Sequence, residues 1–213
     1  MLNLALLAFT SFVVALSGAV VPGPVFVVTV SESLRRGSLA GPLIVIGHLI
    51  LEAFIIGAIL MGLKVVLASA CVRMVIGYVG GVTLILMGLF LLRTARSFRM
   101  GSDLKRAESG FVSHGLIAAG FLSSGSNPHF FLWWVTIGLP TMQYCISMAG
   151  VAGIIAFIIG HAAGDLFWFG LVSYSIDKGK KLLNERAIRY IIGGSALFLI
   201  GFGITFIYQT ILA

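Results

Sequence analysis

The chain has 213 residues, of which 59% are hydrophobic and only 10% charged, with a net charge of +7. A soluble domain carries about 25% charged residues, so this composition, with a mean hydropathy of +1.11, excludes an ordinary globular domain. The basic charge does not mark a nucleic-acid surface. Lys and Arg sit in short gaps between apolar runs, where the positive-inside rule places them in a membrane protein.

Six apolar runs approach the roughly 20 residues that a spanning helix needs. The first extends from Asn3 to Val30. As one helix it would be about 42 Å long, against a hydrocarbon core of about 30 Å. Pro22-Gly23-Pro24 interrupts it. Proline removes a helical hydrogen bond and glycine tolerates unusual dihedrals, so a break is expected there. Met1-Leu2-Asn3 has no basic residue and no convincing cleavage site follows, so the run reads as a retained helix rather than a signal peptide.

The second span is expected over Leu39–Leu63 and the glycine-rich third over Val75–Leu92, followed by a basic loop from Arg93 to Ser109. The fourth, Phe111–Leu139, is interrupted by Asn127-Pro128. The fifth is Ile146–Ser175, and the sixth, Ile191–Leu212, follows a second basic loop. With the N-terminus outside, the inner segments hold twelve Lys and Arg and the outer ones only Lys64 and Arg73. That bias predicts a multi-pass plasma-membrane protein, N-out and C-out.

A repeat runs through this pattern at an offset of 113 residues. Gly47-His48 matches Gly160-His161, Glu52 matches Asp165, Gly57 matches Gly170 and Arg73 matches Arg186. Gly80-Gly81 matches Gly193-Gly194, and Gly88 matches Gly201. Glycine-rich helices can align by chance, but here a histidine, an acid and an arginine coincide as well. The first and fourth spans are each broken by a proline motif about 20 residues in. The fold class expected is an all-α integral membrane protein of six helices in two inverted three-helix repeats, because an odd number of spans inserts the second half from the opposite side. The chain is one transmembrane domain, 1–213, with half one at 1–95, a cytoplasmic loop at 96–110 and half two at 111–213.

Glu52 lies 12 residues before Lys64 and Asp165 lies 12 before Asp177, which puts both about 18 Å from a helix end, near the midplane. A charged residue there costs about 2.5–3.5 kcal/mol on insertion scales, so two at matching depths suggest proton coupling. The plainer alternative is a buried carboxyl that only bonds a neighbouring helix. His48 precedes Glu52 by four residues and His161 precedes Asp165 by four, so each pair shares a helix face. Such histidines suit proton relay or substrate contact, packing, or metal ligation.

Freed backbone groups at the two breaks are tolerated at membrane depth only beside a cavity or within protein. Pro22, Gly23, Pro24, Asn127, Pro128 and His129 are therefore the candidate substrate-binding residues, unless the breaks are simple kinks. Trp133 and Trp134 suit either a cavity wall or an interfacial anchor. Gly81 and Gly88, like Gly194 and Gly201, are seven apart and suit close helix packing. Cys71 and Cys145 fall at outer ends, form no CxxC, and argue against a thiol-relay enzyme; a disulfide between them is a minor alternative.

Taken together, Pro22-Gly23-Pro24, the Arg35-Arg36-Gly37…Gly41…Gly47 stretch, the acid at Glu52 and Asn127-Pro128 resemble the lysine exporter (LysE/RhtB) family over nearly the whole chain. Two features depart from it. His129 stands where members usually have lysine, and the Phe130-Phe131-Leu132-Trp133-Trp134 run is atypical. The resemblance implies export of an amino acid or related small polar metabolite, driven by a proton or sodium gradient, with no other cofactor. The reading is a secondary exporter and not an enzyme; its partners are a small-molecule substrate and the bilayer, and a homodimer is compatible with it. The alternative is a divalent metal-ion exporter using the His/carboxylate pairs.

Overall fold

The computed structural model describes residues 4–21, 23–61, 70–97 and 111–212, and all the regular structure within them is helical. Chain order is α1 (Leu4–Ala19), α2 (Pro24–Arg36), α3 (Ala40–Leu60), α4 (Ala70–Ser97), α5 (Phe111–Gly125), α6 (Pro128–Trp133), a π-helical turn (Trp134–Gly138), α7 (Leu139–Gly179) and α8 (Glu185–Leu212). Among the described residues, three stretches are long and apolar enough to cross a membrane: Ala40–Leu60, His129–Gly179 and Glu185–Leu212. The α1–α2 pair makes a fourth if its 82° bend is counted within one span.

Local chemistry sets most of the boundaries. Pro24 opens α2 behind an extended Gly23. Asn127 opens α6, its Oδ1 accepting the His129 N–H at 3.1 Å, with Pro128 in the first turn. Proline suits that position because its missing N–H has no partner there anyway. Asn184 caps α8, its Oδ1 accepting the Ala187 N–H at 2.8 Å.

Several expected boundaries are wrong: α4 runs past Leu92 into the expected loop as far as Ser97, α8 begins at Glu185 rather than Ile191, and the fourth and fifth spans do not divide where expected. The expected spans leave a gap between Leu139 and Ile146, but the helix continues through it and reverses at Gly150, whose φ is +57°. Only glycine takes that dihedral without strain. Pro140 is accommodated by the wider π turn just before it, which shifts the hydrogen bonds that its ring would disrupt. Across the reversal the strands of helix lie close, since a Cβ on Gly153 would fall on the Cys145 carbonyl oxygen. Cys145 is a buried free thiol. The side chains of Cys71 and Pro128, and Pro22 and Lys64 altogether, lie outside the described residues.

Glycine sets how the helices cross. A Cβ on Gly47 of α3 would collide with the Ile117 carbonyl of α5, and one on Gly160 of α7 with the Ala8 carbonyl of α1. The most extensive helix pair is α4 with α8, where Gly81 and Gly203 each face the other's carbonyl and Gly88 faces that of Ala196. Here the glycine pairing read from sequence is half corrected. Gly81 and Gly88 pack as expected, but Gly194 and Gly201 face open space, and the close-approach residue of α8 is Gly203. A seven-residue spacing fixes one helix face but cannot say which face is covered.

A polar knot ties the α2–α3 turn to α7. Ser173 donates to the Ser38 carbonyl at 2.8 Å, accepts the Gly41 N–H at 3.0 Å, and lies 2.8 Å from Ser33 Oγ. Nearby, buried Glu32 pairs with Arg35 and Arg36. Ser173→Ala strands a buried N–H and a part-buried carbonyl, which costs about 1–3 kcal/mol. Thermal unfolding in detergent should register that loss, and an unchanged melting temperature would show that the knot contributes nothing.

Candidate functional site

The periodicity of α3 puts His48 and Glu52 on one face, and that of α7 does the same for His161 and Asp165. Asp165 stands 14 residues from both Val151 and Gly179, halfway along the arm of α7 that follows the Gly150 reversal. The two faces meet. Glu52 Oε1 lies 2.9 Å from His161 Nε2 and 3.1 Å from His48 Nε2. Asp165 Oδ2 lies 3.4 Å from His161 Nε2 and 3.8 Å from His48 Nε2. Glu52 and Asp165 are each only 3% exposed. Residues separated by more than a hundred positions thus form one tetrad.

Neighbouring groups fix the orientation of the tetrad. Trp134, fully buried, donates its indole N–H to Glu52 Oε1 at 3.3 Å. His161 stacks on Phe157, with ring centroids 5.6 Å apart. His48 Nδ1 lies 2.7 Å from Ser124 Oγ, and Ser124 donates its single proton to the Gly120 carbonyl, also at 2.7 Å. Ser124 can then only accept from the ring, so Nδ1 carries the hydrogen and Nε2 is the atom turned toward the carboxyls.

The tetrad opens into a cavity of about 520 Å³. Gly23, Asn127 and His129 line it as well, so the residues picked out at both helix breaks share a space with those picked out at the midplane. Its walls are mostly apolar and include the rings of Phe26, Phe130, Trp133, Phe169 and Phe202. His129 stacks on Phe202, with centroids 6.3 Å apart and planes 29° from parallel. Both tryptophans face the interior. Trp133 donates to Ser17 Oγ at 3.3 Å and packs where a Cβ on Gly18 would lie.

The two helix starts at the cavity differ. Asn127 caps α6, but no side chain caps α2 at Gly23. Among the described residues no side chain therefore occupies the first N–H groups of α2, which lie beside the cavity-lining Val25 and Phe26.

The sequence reading missed Ser124 and left Trp134 undecided. A signal for the first was present, because Ser123-Ser124-Gly125-Ser126 is a polar cluster inside an apolar run. Which serine meets a histidine depends on the crossing of α3 and α5.

A family model described as "LysE type translocator" matches residues 16–210. A protein of Bacillus subtilis strain 168, named "Putative amino acid efflux protein YcgF", is 24% identical over 204 residues, covering 95% of this chain and 96% of that one. No solved structure matches the chain.

Proposed function

Since this chain belongs to the LysE type translocator family, whose members are integral membrane transporters rather than enzymes, we propose that it exports an amino acid or related small polar metabolite across the plasma membrane in exchange for protons. One observation carries the reading: two carboxyls and two imidazoles from α3 and α7 converge, buried, on a largely apolar cavity beside two helix starts. The name of the Bacillus relative supports efflux as the direction.

In this reading the chain makes six spans. They are α1–α2, α3, α4, α5–α6 continued to Gly150, the rest of α7, and α8. Residues 1–95 and 111–213 form the inverted halves, N-out and C-out, as the basic residues favour. The reciprocal crossings support the repeat: Gly47 seats α3 against α5, and Gly160, 113 residues on, seats α7 against α1. Rocking of one half against the other then exposes the midplane cavity to each side in turn.

The substrate's carboxylate is drawn to the uncapped start of α2 by its free N–H groups and dipole. Its ammonium faces Glu52 and Asp165. Protons entering from outside occupy the tetrad, release the ammonium, and leave on the inner side when the next substrate binds. Substrate and protons thus compete directly for the carboxyls.

The test uses the purified protein in liposomes loaded with radiolabelled amino acids, one at a time. An inward proton gradient should accelerate release of at least one of them over protein-free liposomes. Release that ignores the gradient for every amino acid would overturn the proposal.

A further inference from the structure

We propose that His48, Glu52, His161 and Asp165 form a binding site for one divalent transition-metal ion of the Zn²⁺ and Co²⁺ class. The site goes beyond amino-acid export and holds whether or not the chain carries amino acids.

Geometry is the first argument. Zinc binds His nitrogen and carboxylate oxygen at about 2.0–2.2 Å, and a tetrahedron of such bonds has edges of about 3.3 Å. The four N-to-O separations of the tetrad, 2.9, 3.1, 3.4 and 3.8 Å, bracket that value. One ligand atom from each of His48, Glu52 and Asp165 already falls within 4.8 Å of the other two. Two imidazoles with two carboxylates suit a transition metal, whereas Mg²⁺ and Ca²⁺ favour all-oxygen shells.

The second argument is unmet demand. Asp165 Oδ2, which faces both imidazole Nε2 atoms, is buried without a hydrogen-bond partner. His48 has its hydrogen fixed on Nδ1 by Ser124, so its Nε2 lone pair faces Glu52 Oε1 at 3.1 Å unless something lies between them. Two lone pairs at that distance repel; a proton or a metal ion removes the conflict. Ser124 is the outer partner that metal-bound histidines usually have on the opposite nitrogen. With both imidazoles neutral, the two carboxylates leave two negative charges in a buried site. Two protons neutralise them, and so does one divalent cation. Metal and protons therefore exclude each other.

The test is an equilibrium titration of CoCl₂ into the full-length chain in detergent, carrying no histidine tag and no amino acid. Four-coordinate Co²⁺ has an intense visible ligand-field spectrum and six-coordinate Co²⁺ a weak one. The expected result is an intense spectrum saturating at one Co²⁺ per chain and abolished by ZnCl₂. Glu52→Gln, which alters the oxygen shared by both imidazoles, should weaken binding by about 100-fold or more, and Ser124→Ala by about tenfold. Ser124→Ala leaves all four ligands in place and decides the matter if Glu52→Gln does not fold. A weak spectrum, or affinity unchanged in the folded variants, overturns the site. Liposome efflux is not read here, so either proposal can fail alone.

Discussion

Glu52→Gln is expected to abolish gradient-driven efflux while leaving the protein folded. Glu52 Oε1 faces His161 Nε2, His48 Nε2 and the Trp134 indole N–H, at 2.9, 3.1 and 3.3 Å. Glutamine matches glutamate in volume and keeps a carbonyl oxygen to accept from Trp134. What it loses is the capacity to bind and release a proton. A structural tie between α3, the π turn and α7 would survive the change largely intact, because an accepting oxygen remains. A proton carrier would not. Positioned proton transfer contributes about 10²–10⁴-fold to rate where it is required, so the gradient-dependent component should fall by at least about 100-fold, to the level of protein-free liposomes. Asp165→Asn should behave alike, because its carboxyl faces the same two imidazoles. The measurement is initial efflux with and without the imposed gradient. Wild-type acceleration in both single variants and in the double variant would assign the carboxyls to packing and end the proton role.

How far the sequence reached follows from which interactions are local. Hydropathy locates the start of α3 and the end of α8 within a residue, because lipid demands a continuous apolar run whatever the neighbours, but the polar first turn of α8 from Glu185 lies outside that signal. The 113-residue offset pairs Glu52 with Asp165 and His48 with His161 before any contact is known, since depth follows from rise per residue alone. The Gly150 reversal escaped notice for an opposite reason. The fourth and fifth spans are bounded in sequence by hydropathy, and nothing local shows that a π turn carries the helix past Leu139 while a single positive φ turns the chain at Gly150. The Ser173 knot was invisible as well. Ser173, Ser33 and Gly41 are unremarkable in sequence, and their shared position at the α2–α3 turn arises only once α7 crosses it. Trp134 could be read as an interfacial anchor because tryptophan favours both environments; its burial against Glu52 decides between them.

The crossing of α7 over α1 makes the second large prediction, and it separates glycines that look equivalent in sequence. Gly160 and Gly194 both lie inside apolar helices and both belong to the repeat. In the structure a Cβ on Gly160 would fall on the Ala8 carbonyl oxygen, whereas one on Gly194 would meet nothing within 4 Å. Alanine at 160 must push two backbones apart, and overpacking of this kind costs about 1–3 kcal/mol. Alanine at 194 relieves the entropic penalty of a helical glycine and should stabilise by about 0.5–1 kcal/mol. The same substitution is thus expected to change stability in opposite directions, read as melting temperatures in one detergent. A second consequence follows from position. Gly160 adjoins His161, whose Nε2 is 2.9 Å from Glu52, so moving α7 off α1 also draws that imidazole away from the carboxyl. Gly160→Ala should therefore lower gradient-driven efflux even in protein that remains folded, and Gly194→Ala should leave it unchanged. Equal stability of the two variants would refute the close crossing. A loss of stability in Gly194→Ala alone would show that another helix, such as one from a second copy of the chain, covers that face of α8.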